Sequence, residues 1–142
     1  MFGFTATGLL IATGWLLPSA EPYRISAVVG RRLAALEARE GARSVLCTFQ
    51  FPGTVYTLGH PAAIAKNRVK LMEEASRQGQ VLTALLPDEA RVFGKDPRIS
   101  IEILETVQGF NLDKVRPETL HLVRVRATAL AVREPAAQSA KR

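Results

Sequence analysis

The fold is decided by a short stretch near the middle of the chain, Val81-Leu82-Thr83-Ala84-Leu85-Leu86. This stretch carries no charge and is dominated by aliphatic side chains, which is typical of a strand buried on both faces of a sheet. Helix signals flank it on both sides, because Asn67 can cap a helix that extends to Gly79 and Pro87 can open the next helical turn. A buried strand between two helices indicates the α/β class.

The same alternation of short apolar strands and amphipathic helices continues in both directions. Before the central strand, the pattern predicts a helix over 25–36, a strand over 44–49, a short helix over 52–58 and a weaker strand over 62–64. After it, the pattern predicts a strand over 99–110, a turn-rich link over 109–117 and a final strand over 120–126. We therefore expect a small three-layer, mostly parallel α/β sandwich whose last two strands form an antiparallel pair at the edge.

The segment 1–20 differs from the rest of the chain because it contains none of the 19 lysines and arginines and none of the 13 aspartates and glutamates. A helix of ~20 mostly apolar residues is long enough to cross the ~30 Å hydrocarbon core of a bilayer. Trp15 stands where an interfacial aromatic residue would lie, and Pro18 is tolerated where a helix leaves the membrane. We expect one transmembrane helix over 1–20, an extramembrane α/β domain over 21–126 and a flexible tail over 127–142.

Two other interpretations of the segment 1–20 stay open. A cleaved signal peptide would carry a basic residue before its apolar run, and none is present here. A buried helix of a soluble protein would show a polar face. The glycines and threonines of the segment are instead typical of a membrane helix that packs closely against others, so the expected partners are the lipid bilayer and other transmembrane helices.

The net charge of +6 raises the question of a nucleic-acid partner. The basic residues of the body are interleaved with carboxylates and lack accompanying aromatic residues on which bases could stack, so we expect no nucleic-acid partner. Arg24, Arg31 and Arg32 follow the expected span, where each can gain about 1 kcal/mol from anionic lipid headgroups. If Met1 is the native start, the same local excess of arginine favours a body in the cytoplasm by the positive-inside tendency.

Residues suited to catalysis are scarce. The chain has two histidines, His60 and His121, and one cysteine, Cys47, so no cluster has the spacing of a metal site. A nucleophilic pair of Cys47 and His60 is conceivable, but a cysteine inside a predicted strand is more typical of a small buried apolar residue. The carboxylate pairs Glu73-Glu74 and Asp88-Glu89 fall on predicted helix surfaces. The sequence therefore predicts no catalytic, cofactor-binding or metal-ligating residue and no cofactor.

One segment carries a family resemblance, Phe-Pro-Gly-Thr-Val-Tyr-Thr-Leu-Gly-His-Pro over 51–61. Placed after a strand and before a helix and a Val- and Leu-rich strand, it resembles the extramembrane C-terminal domain of polytopic glycosyltransferases that use lipid-phosphate sugars. That family includes the protein mannosyltransferases and the lipid A aminoarabinose transferases. Its last membrane helix is followed by a proline, an amphipathic helix, a strand and a pattern of proline, tyrosine, aliphatic residue, glycine, basic residue and proline. The segments 15–22, 25–36, 45–49, 55–61 and 81–86 follow that order here.

The resemblance concerns the non-catalytic end of the family. The catalytic acid and the metal and lipid-phosphate contacts of these enzymes lie in the first extramembrane loops and among many membrane helices, so the resemblance implies no catalytic residue in this chain. It implies a membrane-anchored C-terminal fragment, a separately encoded piece or a remnant, with its domain outside the cytoplasm and no sugar transfer by itself. The alternatives are a single-pass membrane protein whose α/β domain is a binding module and, third, a soluble or secreted enzyme with a cleaved leader.

Overall fold

Helices and strands alternate along the residues that this computed structural model describes, which are 24–47, 52–112 and 114–128. The first half contains α1 (Ile25–Glu40), β1 (Arg43–Leu46), α2 (Pro52–Leu58), β2 (Ala63–Ile64) and α3 (Arg68–Gln78). The second half contains β3 (Gln80–Leu85), α4 (Pro87–Phe93), β4 (Ile99–Asn111) and β5 (Arg116–Ala127). This order of elements is the one that the hydrophobic pattern predicts.

The five strands form one sheet in the order β2-β1-β3-β5-β4. Strand β1 pairs in parallel with β2 and with β3, whereas β5 pairs antiparallel with β3 and with β4. The expectation of a mostly parallel sheet was therefore wrong, and the sheet is mixed. The reason is that the chain turns back directly after β4, which forces β5 to run against β4, and β5 then lies between β3 and β4. The predicted antiparallel pair at the edge is confirmed, with β4 as the edge strand.

Both faces of the sheet are covered, as the apolar stretch at 81–86 predicts. Leu82 and Ala84 of β3 belong to a core cluster that also contains residues of α1 and α2. Val81 and Leu85 belong to a second cluster, which contains residues of α3 and α4. Successive residues of a strand point to opposite faces, so one strand supplies both cores. The described residues thus form three layers, with two helices on each side of the sheet.

The helix ends follow from local chemistry. Asn67 caps α3, because its side-chain oxygen accepts a hydrogen bond of 2.9 Å from the backbone N–H of Lys70. Helix α4 begins with Pro87, and the carboxylate of Glu89 accepts a hydrogen bond of 3.1 Å from the backbone N–H of Leu86. Both starts coincide with the positions that the sequence indicates.

Helices α1 and α2 approach each other closely at Gly30, which has no side chain. A Cβ atom built on Gly30 would lie 1.8 Å from Oγ1 of Thr57 and 2.7 Å from the carbonyl oxygen of Thr54. Thr54 Oγ1 also donates a hydrogen bond of 3.2 Å to the carbonyl oxygen of Ser26. The small side chains of α2 therefore hold it against the first two turns of α1.

Strands β4 and β5 form a long hairpin that extends beyond the end of β3. The register shifts between Ile103 and Glu105, which places a bulge at the point where the alternation of the sequence changes phase. The pairing continues to Asn111 and Arg116, so the turn is shorter than the predicted link over 109–117. At this end, Phe110 forms a parallel β-bridge with Arg24, directly before α1.

The expected transmembrane helix over 1–20 lies outside the described residues, as do residues 129–142 of the expected tail. Within the described ranges, none of the helices has both the length and the apolar character that a membrane span requires. Strand β5 reaches Ala127, and Thr128 still bonds to the start of β4 through its backbone N–H and the carbonyl oxygen of Arg98, 2.8 Å apart.

Candidate functional site

The best-defined polar site joins the end of α1 to the turn before β2. His60 lies directly after Gly59, whose φ of +83° belongs to the left-handed region that glycine tolerates best. This turn brings Nε2 of His60 to 2.6 Å from Oε2 of Glu37, in the last turn of α1. The other ring nitrogen, Nδ1, lies 3.0 Å from the carbonyl oxygen of Pro61. Both ring nitrogens of His60 are therefore engaged.

The carboxylate of Glu37 is held from two sides. Its Oε1 accepts a hydrogen bond of 2.6 Å from the backbone N–H of Ser44, at the start of β1, while Oε2 contacts His60. Partial burial acts to raise the pKa of Glu37, but the hydrogen bonds from His60 and Ser44 outweigh it and lower the pKa below its ordinary value of 4.5. The pKa of His60 is raised above 6.5 by its hydrogen bonds to the carbonyl of Pro61 and to Glu37. Both ring nitrogens of His60 face oxygen acceptors, so the protonated imidazolium satisfies both contacts and forms an ion pair with the ionised Glu37.

The ion pair stands at the edge of a cleft of about 310 Å³, lined among others by Arg43, Ser44, His60, Arg77 and Gln78. Arg43 is exposed, and Arg77 contacts Glu74 at 2.5 Å on the surface of α3. The cationic lining suits a ligand with a negatively charged or strongly polar group. Glu37 and His60 neutralise each other, so neither is a free base, and the cleft is better suited to binding than to proton transfer.

The titration of His60 provides a direct test of this geometry. We expect the imidazole of His60 to titrate with a midpoint above 6.5, and Glu37→Gln to bring that midpoint down because the hydrogen bond then ends on a neutral amide. The measurement is an NMR titration of the His60 ring protons in the full chain. Glu74→Gln makes the same change of charge on α3 and should leave the midpoint close to that of the unchanged chain. Equal midpoints in the unchanged chain and in Glu37→Gln would contradict the pair.

The same pair sets a pH window for stability. Because the pKa of Glu37 is lowered, its contribution is present above pH 4.5 and is lost as the pH falls through the lowered value. Because the pKa of His60 is raised, its contribution is present below pH 6.5 and is lost as the pH rises through the raised value. The stability lost in Glu37→Gln should therefore be greatest between pH 4.5 and 6.5.

Two other charged clusters are structural. Asp96 is 7% exposed, and its carboxylate accepts hydrogen bonds from the backbone N–H and the guanidinium of Arg98, which, with Arg68 nearby, lower its pKa to about 2. It fixes the turn between α4 and β4 beside an open recess of about 410 Å³.

On the opposite face, Arg124 of β5 pairs with Glu40 and with Glu102, which ties the end of α1 to the sheet.

The other residues that the sequence singles out do not form a site. Cys47 is buried in the core beneath α3, whereas His60 contacts α1 on the other side of the sheet, so the conceivable nucleophilic pair is not assembled. His121 contacts Thr106 across the β4–β5 pair at 2.9 Å. The carboxylates at 73–74 and 88–89 lie in ion pairs with neighbouring side chains or at a helix start.

Sequence reasoning missed Glu37, which lies one residue beyond the helix predicted over 25–36. The break Gly59-His60-Pro61 is a signal for His60, because a histidine between glycine and proline is held in one place, but it does not identify the partner of His60. In the part of the chain that the structure describes, no three histidine, cysteine, aspartate or glutamate side chains gather as a metal site would require. Comparison with protein-family models, with curated proteins and with solved structures finds no match for this chain.

Proposed function

We propose that this chain is the membrane-anchored C-terminal α/β domain of a glycosyltransferase of the lipid-phosphate-sugar type, and that it does not transfer sugar by itself. The observation that carries the proposal is the order of the elements around residues 51–61. A helix, a strand, a short helix over the tyrosine-containing motif, a second strand, a helix and a buried strand follow one another in the order on which the resemblance rests. The closing hairpin β4–β5 also supports the proposal, because the family that the chain resembles closes with a similar pair of strands.

The proposed anchor is the uncharged segment 1–20, and its distance from the domain supports this role. Four residues, 21–24, separate it from the start of α1 at Ile25. A stretch of that length spans at most ~14 Å, at ~3.3–3.6 Å per residue. The domain would then be held close to the membrane surface. The resemblance favours the side outside the cytoplasm, against the local excess of arginine.

The proposal also accounts for a domain with few residues suited to chemistry. Glu37 and His60 are committed to an ion pair, and Cys47 is buried. A domain of this kind can support or position a catalytic membrane part without taking part in the reaction. Its contribution would be packing and recognition, which require a stable α/β sandwich and no acid, base or metal.

An assay of sugar transfer tests the proposal in both directions. The purified full chain in vesicles, supplied with polyprenyl-phosphate mannose, glucose or aminoarabinose and with peptide and lipid A acceptors, is expected to transfer no sugar. Material purified from native membranes with an antibody against the α/β domain is expected to transfer sugar from one of these donors. Turnover by the purified chain, or no turnover in the native material, would each overturn the proposal.

A second candidate function is favoured by the cleft beside His60. The cleft lies near Glu37, twelve residues after Ile25, which is roughly 18 Å along α1 at ~1.5 Å per residue. It is therefore well separated from the point where the chain would enter the membrane, and its cationic lining suits a water-soluble anionic ligand. This arrangement fits a single-pass protein whose α/β domain is a binding module. Native material without transfer activity would favour this second function.

A further inference from the structure

The turn that joins β4 to β5 presents apolar side chains to solvent. Its sequence is Leu112-Asp113-Lys114-Val115-Arg116. Leu112 is 44% exposed and Val115 is 76% exposed, which are high values for large aliphatic side chains. Lys114 and Arg116 place positive charges directly beside them. Val115 lies between these two basic residues, and an apolar side chain next to basic ones is typical of a segment that lies in a membrane interface.

Val115 has a backbone conformation that does not suit valine. Its φ is +48°, in the left-handed region where β-branched residues are rare and glycine or asparagine is preferred. Glycine or asparagine at this position would relieve the strain and remove an exposed apolar group. An exposed valine gains little from packing within the domain, so the strain points to a use for its side chain outside the domain.

The turn is also held in place by a buried carboxylate. Glu118 is 7% exposed, and it accepts hydrogen bonds of 2.7 Å from Nδ2 of Asn111 and of 3.1 Å from Nζ of Lys114. Burial acts to raise the pKa of Glu118, but these two partners outweigh it, so the pKa is lowered and the group is charged near neutral pH. Glu118 therefore ties Asn111, next to Leu112, to Lys114, next to Val115.

The turn lies at the end of the domain where the chain from residues 1–23 enters. Phe110 forms a β-bridge with Arg24, and a Cβ built on Gly109 would lie 2.8 Å from Cα of Ile25. Helix α2 packs on the same first turns of α1, and its Tyr56 is 87% exposed. Exposed apolar side chains thus flank the start of α1 on two sides.

We propose that this end of the domain, formed by Leu112, Val115 and Tyr56, lies against the bilayer as a second membrane contact. The aliphatic side chains enter the interface and the phenol of Tyr56 lies at headgroup level, while Lys114 and Arg116 stay paired with Glu118. The proposal rests on the anchoring part of the proposed function, because the uncharged segment 1–20 ends at most four residues before Ile25 and leaves the turn little distance from the membrane. It adds a fixed orientation, in which α1 rises from the membrane and the cleft beside His60 faces away from it.

An environment-sensitive fluorophore tests the contact. In a Cys47→Ala background, the full chain carries a nitrobenzoxadiazole label on Val115→Cys and is reconstituted into vesicles of phosphatidylcholine and phosphatidylglycerol. The control carries the label on Val92→Cys, an exposed valine of α4 with 53% exposure. We expect the label at 115 to shift its emission to the blue and to be quenched by nitroxide-labelled lipid, and the label at 92 to do neither. Adding Leu112→Asp should return the emission of the label at 115 toward its value in water.

The outcomes separate the second contact from the anchor, because alkaline extraction of the same vesicles reports the anchor. If the chain resists extraction and the labels at 115 and 92 both emit as they do in water, the second contact is overturned and the anchor is supported. If lipid quenches the label at 115 before extraction but the chain is extracted at high pH, the second contact is supported and the anchor is overturned. A blue shift at 115 without quenching by lipid indicates a second copy of the chain and overturns the contact. Chain that does not associate with vesicles overturns both.

Discussion

Replacing Leu122 with alanine is expected to lower the free energy of unfolding by about 3 kcal/mol, and replacing Val123 with alanine by about 2 kcal/mol. Both side chains are fully buried on adjacent positions of β5. Leu122 packs in the cluster with α1, and Val123 packs in the cluster with α3 and α4. Each substitution leaves a cavity in a different core, so both should be costly although the residues are neighbours.

The measurement is equilibrium denaturation of the full chain in detergent micelles, followed by far-ultraviolet circular dichroism. Ile103→Ala is the matched control, because Ile103 pairs with Val123 in the sheet but is 53% exposed, and its loss should change the stability by about 0.5 kcal/mol or less. A Val123→Ala chain as stable as the control would show that the second face of the sheet is not packed as described.

The two-sided burial of the sheet could be predicted because it is a local property. Each residue of Val81–Leu85 is apolar or uncharged, so the strand can accept a helix layer on either face. The direction of the neighbouring strands could not be predicted in the same way. A strand buried on both faces has the same composition whether its neighbours run parallel or antiparallel, and β3 gains an antiparallel neighbour because β5, not β4, lies beside it.

The turn before β5 was predicted too long because glycine and proline were both interpreted as breaks. Gly109 lies inside β4, where its missing side chain lets the strand approach Ile25 closely. Pro117 lies inside β5 and pairs with Phe110, beyond the last residue that β3 pairs with. Because Pro117 lies outside the part of β5 that pairs with β3, its missing N–H costs no hydrogen bond to β3. Both explanations depend on tertiary contacts.

The pairing of residues in the candidate site was still harder to predict from the sequence. The sequence singled out His60 as one of two histidines and a conceivable partner of Cys47, and the structure shows that its two ring nitrogens have other partners. Glu37 gave no signal, since one glutamate on an amphipathic helix resembles the others until the fold brings it to His60. The partner is 23 residues away in the chain, and that separation is bridged by β1 and α2, whose packing on α1 no local pattern encodes.

Replacing Gly30 with alanine is expected to destabilise the domain by about 3 kcal/mol, although alanine is the better helix former by about 1 kcal/mol. The added Cβ would overlap Oγ1 of Thr57 at 1.8 Å and would lie 2.7 Å from the backbone oxygen of Thr54. The side chain of Thr57 can move, but the oxygen of Thr54 moves only if α2 itself shifts away from α1. A loss of stability in Gly30→Ala would therefore indicate close helix packing, whereas a gain would indicate that helix propensity alone decides the effect.

Denaturation of the full chain measures the effect, and two further chains define its cause. Gly94→Ala is the matched control, because the nearest atom to its added Cβ, the carbonyl oxygen of Ala90, is 3.2 Å away and its φ of −65° suits alanine, so little change is expected. In a Thr57→Ala background, Gly30→Ala should cost less than in the unchanged chain, because Oγ1 is absent and only the contacts with Thr54 and with Cβ at position 57 remain. Equal costs in the two backgrounds would assign the strain to Thr54 and to Cβ at position 57, and no cost in either background would mean that α2 does not press on α1 at Gly30. In that case α2 would be held only by its other contacts, and the position of the turn before His60 would no longer depend on α1.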